Sequence, residues 1–463
     1  MLVFPKLQPI AQKDFTISEF EGLDRRLSAG EKTLSYTENM SVARLPCLTT
    51  RRGRRRVFSA PSGEKITGIF NFDKAYLTTS YGGSTKLYYG NDFSSLSCIY
   101  TANTDDNTTS MLCRFDNKVC IFNLKSELGS DNLLVSSVTT MDSPTRYSAP
   151  VFNDIVVYEN RVFGCRLRQI RACAYDDISN WDVYEQREDP EAGAYLKNFE
   201  TKSEFTACIN YKGHTLFFTA DEMYELYGKD KLSFDLIKVA DFGCLNRFSV
   251  CEVSGVLYFL AKDGVMRYNG NTISLISDAI CDRSSDASKA ALGGGERTLY
   301  VKICGKYGDC LYTYNTETGC WAREDSFEGV CATCYDGRVF FADEEAVYKL
   351  DVPYSEEPQD NDGASFLWEA VTQDIHNFMP LKKRGSKLNF YIFQQMPSKI
   401  EVYISYDGGE FELLRTSLTD GGKTICIPLP NKSYESIKVK IRGWGEAHID
   451  YISRSFSMGG ECK

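Results

Sequence analysis

The feature that most constrains this chain is a hairpin unit that keeps returning through its middle. The stretch Gly255–Gly270 reads as an apolar strand, an Asp263-Gly264 turn and a second strand with alternating faces. Asp-Gly between β-rich runs signals a hairpin because the turn needs residues that tolerate positive φ. The same shape occurs at Gly213–Gly228 and Gly337–Leu350. Weaker copies align on Lys74, Lys118, Arg161, His214, Val256, Thr298 and Arg338, read as opening the first strand of each unit. The steps between them are 44, 43, 53, 42, 42 and 40 residues. A period of about 40–45 residues with about four short strands per unit is the signature of a β-propeller blade. The alignment gives about seven blades and is compatible with six or eight. The competing reading is an array of unrelated hairpins in a large all-β protein.

On this basis the chain is expected to be all-β, with a propeller, an extended N-terminal arm and a C-terminal antiparallel β-sandwich. Residues 1–62 lack hairpin periodicity and offer little apolar surface to offset ordering entropy, so this arm should lie against the propeller or another subunit. Residues 63–351 carry the repeats. Tyr175–Trp181 and Tyr314–Trp321 read as turn-plus-Trp endings of blade hairpins. The longer third step, from Arg161 to His214, places a charged excursion from the ring near Glu185–Lys202. The seventh unit is one strand short, and a strand from Arg56–Ala60 or Ile66–Phe70 is expected to fill the gap and close the ring. Residues 352–365 form a polar Pro/Gly linker. Beyond it, in 366–463, strands are expected at Lys387–Phe393, Lys399–Tyr406, Phe411–Ser417, Lys423–Pro428, Ser436–Arg442 and His448–Phe456, with Asp407-Gly408 as a turn. Alternation such as Lys399–Ser405 indicates a sheet with one wet face, and six such strands make a small sandwich.

The 463 residues leave room for two or three domains, and the net charge of −10 argues against a general nucleic-acid binder. The 17 cysteines are not read as a disulfide framework, because the chain is long and Pro5 and Lys6 interrupt the apolar opening Met1–Phe4. Free thiols packed as small hydrophobes, in a chain made in a reducing cytoplasm, are the expectation. No run reaches the ~18 apolar residues of a membrane span, so no membrane insertion is expected.

The sharpest local feature is the cluster Arg51, Arg52, Arg54, Arg55 and Arg56. Its guanidiniums suit an acidic patch on a neighbouring protein, phosphates, or plain solvent. Protein–protein contact is the reading carried forward. Cys331 and Cys334 resemble half a zinc site, but residues three apart in a strand face opposite sides, and His214, His376 and His448 are the only histidines. Cys304 and Cys310 read as cross-strand neighbours that oxidation could bridge. There is no Gly-x-Ser-x-Gly elbow, and Gly293-Gly294-Gly295 precedes a strand, so it is no phosphate loop. Asp221, Asp263, Asp343 and Asp407 sit in turns, and a glycosidase would need two carboxylates converging on one pocket. No catalytic residue, cofactor or metal is expected. Trp321, Trp368 and Trp444 could stack on sugars or fill a core.

Several parts together resemble propeller-based bacteriophage virion proteins, the tail nozzle (tail tubular protein B) and tail-hub proteins of short-tailed phages. The carrying motifs are Gly22-Leu23-Asp24, Asn39-Met40-Ser41, Pro46 and the arginine cluster in the arm, the paired hairpins at 213–228 and 255–270, and the segment from Trp368 with Ser405–Gly409. The resemblance implies a structural protein of the virion tail, assembled in the host cytoplasm. It further implies a homo-oligomeric ring, most simply of six copies, beneath portal and adaptor proteins, with DNA leaving through it at genome ejection without specific binding. The alternatives are a receptor- or glycan-binding tail protein and, behind that, a glycan hydrolase.

Overall fold

The computed structural model describes residues 12–42, 46–103, 109–124, 132–137, 144–184, 189–329, 331–353, 365–376 and 382–458. The expected linker falls mostly at 354–364, and that part lies outside the described residues, as does Met1–Phe4. The fold is all-β: a seven-bladed propeller and a nearly closed antiparallel sheet of sandwich or barrel form.

Each blade is a four-stranded antiparallel sheet. The innermost strands are Lys65–Asn71, Met111–Phe115, Asp154–Tyr158, Phe205–Tyr211, Val250–Val253, Ala291–Gly294 and Cys331–Tyr335. The second strands are covered on both faces by neighbouring blades, so they read as continuous apolar runs. In Val256–Ala261 five of six residues are buried, and in Arg338–Ala342 four of five. This explains one difference from the sequence reading. Lys118, Arg161, His214, Val256, Thr298 and Arg338 open the second strand of each unit, not the first, and Lys74 stands one residue before it. The repeat is legible where burial is two-sided.

The turn that recurs is also displaced. In five blades the first two strands are joined by a two-residue turn with both residues at positive φ: 116–117, 159–160, 212–213, 254–255 and 336–337. These turns match the right-handed twist of the flanking strands. Asp263-Gly264, by contrast, is not the centre of its turn. Ala261 pairs with Gly264, so Lys262 and Asp263 make the link.

The seventh sheet has three strands from its own unit, and its fourth and outermost is Gly53–Ser59, paired with Ala346–Val352. The closing strand thus begins three residues before the expected Arg56–Ala60, whereas Ile66–Phe70 lies inside the innermost strand of the first blade. The excursion near residue 185 is partly absorbed by the ring: Tyr195–Asn198 is the outermost strand of the third blade. The buried Arg161 guanidinium pins the loop before it, donating to the carbonyls of Cys173 (2.8 Å), Glu191 (2.7 Å) and Gly193 (2.6 Å).

The C-terminal sheet contains ten strands. Lys383–Tyr406 is one strand of 24 residues where the sequence suggests two, and Glu412–Pro428 is likewise one strand of 17. Together they form a long hairpin turning at Asp407-Gly408, with its register broken between Gln394 and Ser398. The first half of the long strand pairs with Ala447–Met458 and the second half with Ile437–Trp444. Four further strands come from the segment expected to be an arm: Gln12–Ile17, Leu34–Glu38, Met40–Ser41 and Leu48–Thr50. Ile17, Phe20, Leu34, Met40 and Leu48 enter the same core as Trp368, Phe390, Val402 and Ile441.

Candidate functional site

The five clustered arginines lie where the chain crosses from the C-terminal sheet, at Leu48–Thr50, to the closing strand at Gly53–Ser59. Arg51 and Arg54 are buried there, with 5% and 3% of their surface exposed. Arg51 donates from Nε to Asn39 Oδ1 (2.7 Å) and from Nη2 to Asp325 Oδ2 (3.2 Å). Arg54 Nη2 lies 2.7 Å from Glu324 Oε2 and 2.7 Å from Asp325 Oδ1. The guanidiniums also stack on rings: Arg51 on Phe366 at 4.3 Å and Arg54 on Phe327 at 5.2 Å. Burial raises Glu324 despite both arginines. Burial opposes ionisation of Asp325 as well, but there Arg54 and Arg51 prevail and hold it low.

Two buried cations thus face two carboxylates, Glu324 buried and Asp325 partly exposed. The arrangement is a lock between the propeller and the C-terminal sheet, and it leaves Arg51 and Arg54 facing inward. Asn39, at φ +56, ties the same point together: its Nδ2 donates to the Leu367 carbonyl (2.7 Å) and its Oδ1 accepts the Asp325 N–H (3.0 Å). The other three arginines stand at the surface. Arg52 pairs with Asp351 at 3.3 Å, Arg56 lies over Tyr348 at 5.7 Å, and Arg55 is exposed.

Beside the lock is a polar cleft of about 460 Å³ between the sixth and seventh blades and the C-terminal sheet, lined by Arg52, Arg297, Glu317, Arg338, Glu446 and His448. Its charges are mixed and partly paired, as in Arg297–Glu317 at 3.3 Å. Of the three tryptophans considered for sugar stacking, Trp321 and Trp368 are core residues, 2% and 0% exposed, and Trp444 is half-buried.

The remaining candidates do not converge. Cys331 is buried and Cys334 exposed on one short strand. Cys310 lies opposite Ile303 while Cys304 lies opposite Asp309, so these two thiols point to opposite faces and are not bridge partners. Cys113 and Cys120 do face each other, directly opposed across the first hairpin of the second blade. Sequence alone missed them because their strands were the poorest copy of the repeat. His214 contacts Glu225, His448 stacks on Phe393, and the His376 N–H donates to Glu31. Among the described residues no group of three His, Cys, Asp or Glu side chains is placed to hold a metal. The turn aspartates serve local ends: Asp343 caps the N–H groups of Glu345 and Ala346, Asp407 those of Glu435 and Ser436, and Asp221 pairs with Lys262.

The propeller axis is crossed by the loop 241–249, which links the fourth and fifth blades. Phe248 packs into the clusters on both sides of the seventh blade, and its carbonyl accepts the Leu292 N–H (2.7 Å). Arg247 stacks on Phe248 at 4.4 Å and acts electrostatically on Asp154 of the third blade. Burial pushes Asp154 up to about 6, against the pull of Arg247 and of the Cys208 N–H. Side chains of this loop therefore reach blades on the far side of the ring.

No protein-family model matches the chain, and no curated protein does. Solved structures are similar to it in part. A protein described as the extracellular domain of a hybrid two-component system from B. thetaiotaomicron is 10% identical, with 89% of this chain and 62% of that one covered, at a TM-score of 0.43. An exo-β-1,3-galactanase from Phanerochaete chrysosporium is 10% identical over 85% of this chain and 95% of that one, at 0.26. TmCBM61, solved with β-1,4-galactotriose, is 20% identical over 19% of this chain, which spans 63% of that one, at 0.16. Likenesses this distant carry no argument about activity.

Proposed function

We propose that the protein is a structural subunit of a bacteriophage tail, a nozzle- or hub-like component that assembles with copies of itself, most simply six, around the path taken by DNA. The observation that carries this reading is the weaving of the chain ends. One N-terminal segment supplies four strands of the C-terminal sheet and then the strand that closes the propeller, with Arg51 and Arg54 buried at the crossing. A block stapled in this way suits a wall element better than a hinged binding module. The open edge of Glu412–Pro428, with Leu413 and Leu418 exposed, and the outward Arg52, Arg55 and Arg56 are the surfaces offered to neighbours.

Because the loop 241–249 reaches across the ring, the DNA path in this reading runs between subunits and not through any one of them. A net charge of −10 suits such a wall, since it repels phosphates and lets the polymer slide. The portal, adaptor and other tail proteins are the remaining partners. The test is particle mass by light scattering on the purified full chain, with the Arg52→Ala/Arg55→Ala/Arg56→Ala variant beside it. A closed ring that the triple variant weakens supports the proposal. A monomer at every concentration refutes it, and a trimer transfers the protein to the receptor-binding alternative.

A further inference from the structure

A second groove, remote from the junction, has a chemistry that the structural reading does not use. It lies on the third blade, has a volume of about 760 Å³, and is lined by Arg166, Arg168, Gln169, Arg171 and Asn198 against Val151, with Glu204 the one carboxylate among its lining residues. Sheet register explains why these side chains meet. Arg166 lies opposite Gln169, Gln169 opposite Asn198 and Arg171 opposite Gly164, so Arg166, Gln169, Arg171 and Asn198 share one face. Gly164 leaves room on that face for Phe152, whose ring lies 2.3 Å from where a Cβ would stand.

Two of the three guanidiniums are held by hydrogen bonds. Arg171 Nε donates to Gln169 Oε1 (2.6 Å), Gln169 Nε2 donates to Asn198 Oδ1 (2.9 Å), and Arg168 Nη2 donates to the Lys202 carbonyl (3.3 Å). Yet among the described residues none of the three guanidiniums has a carboxylate within ion-pair distance, in a chain with 63 acidic residues against 53 basic ones. Elsewhere arginines such as Arg54, Arg114, Arg323 and Arg442 are each paired. Three guanidiniums without an ion-pair partner, two of them held by hydrogen bonds, outnumber the single carboxylate of the groove and make it a site for anions.

We infer that this groove binds a short acidic saccharide of the uronate class, its carboxylates taken by Arg166, Arg168 and Arg171 and its hydroxyls by the Asn198 amide. Guanidinium forks match planar carboxylates. The apolar wall at Val151 suits the C–H face of a sugar ring. A nucleic acid fits less well: the groove offers no exposed aromatic for base stacking, and the net −10 repels a long polyanion.

The test is calorimetric titration of the full chain with tetragalacturonate, with neutral galactotetraose and a thymidine tetranucleotide as comparisons. Saturable binding of tetragalacturonate alone is expected, weakened about tenfold or more in Arg166→Gln/Arg171→Gln. Melting curves check that the double variant is folded. The single Arg166→Gln change, at an exposed hairpin end, provides the same reading if it is not. Absence of saturable binding, equal affinity in the variants, or equally tight tetranucleotide binding overturns the inference. None of these outcomes bears on particle mass, so the tail reading is judged separately.

Discussion

The propeller and the C-terminal sheet are both antiparallel, but they are assembled by opposite strategies. Six of the seven blades are built from four consecutive strands, so nearly every pairing is between neighbours in sequence. The C-terminal sheet instead draws on both ends of the chain: Thr16 and Ser453, hydrogen-bonded across paired strands, are 437 residues apart. The thermodynamic surcharge for such distance is small, since each doubling of loop length adds only about 0.6 kcal/mol. Informational distance is another matter. A hairpin announces itself within twenty residues, whereas a strand whose partner lies at the far end carries no local mark of that partner.

The severest test of this contrast is to remove residues 12–59. The C-terminal core then loses Ile17, Phe20, Leu34, Met40 and Leu48, all nearly fully buried. At about 1.5–3 kcal/mol each, that loss rivals the ~5–15 kcal/mol by which a domain is stable at all. The truncated chain is expected to lose the cooperative unfolding of the sheet and to leave the seventh blade open. Calorimetry decides: a truncated chain that melts in one transition near that of the full chain would show that the two ends are not woven as described.

The same contrast explains what was legible beforehand. The propeller was visible because its second strands are apolar throughout and are preceded by turns such as Ser254-Gly255 and Asp336-Gly337. The strands at 12–50 were not, because Gln12–Ile17 is mostly exposed and polar and Met40–Ser41 is two residues long. The long hairpin read as four strands because Gln394–Ser398 and Asp420–Gly422 interrupt the alternation, yet both strands run through the irregularity. At the candidate site, sequence found the arginine cluster but could not sort it. Glu324 and Asp325, which bury two of the five, lie about 270 residues away. The groove on the third blade was missed because Arg166, Arg168 and Arg171 look like an ordinary wet hairpin until register puts them beside Asn198.

Splitting the cluster by substitution sharpens the point. Arg54→Ala takes the nearer cation from the buried Glu324 and leaves it Arg51 at 3.9 Å, and breaking one side of a buried pair costs up to about 3–5 kcal/mol. Arg56→Ala, on the same strand but exposed, should stay within about 0.5 kcal/mol. Urea denaturation of the two variants measures the difference. Adding Glu324→Gln to Arg54→Ala should recover part of the loss, because it removes a buried charge that has lost its nearer partner. Equal costs for the two arginines would mean that the lock holds nothing.

A pair of glycine substitutions carries the comparison to its smallest scale. Gly443 lies where the C-terminal sheet packs against itself, and an added Cβ would meet Trp368 at 2.5 Å and Ile400 at 3.1 Å. Gly443→Ala is therefore a packing insult of about 1–3 kcal/mol, paid through residues distant in sequence. Gly255 sits in a blade turn at φ +75 with open space around it, so Gly255→Ala is penalised only by its own backbone, at about 1 kcal/mol. Hydrogen exchange should separate them, with Gly443→Ala loosening strands on both sides of Trp368 and Gly255→Ala confined to the 250–261 hairpin. If the turn variant instead loosens the whole ring, the blades are more tightly coupled than their local construction implies.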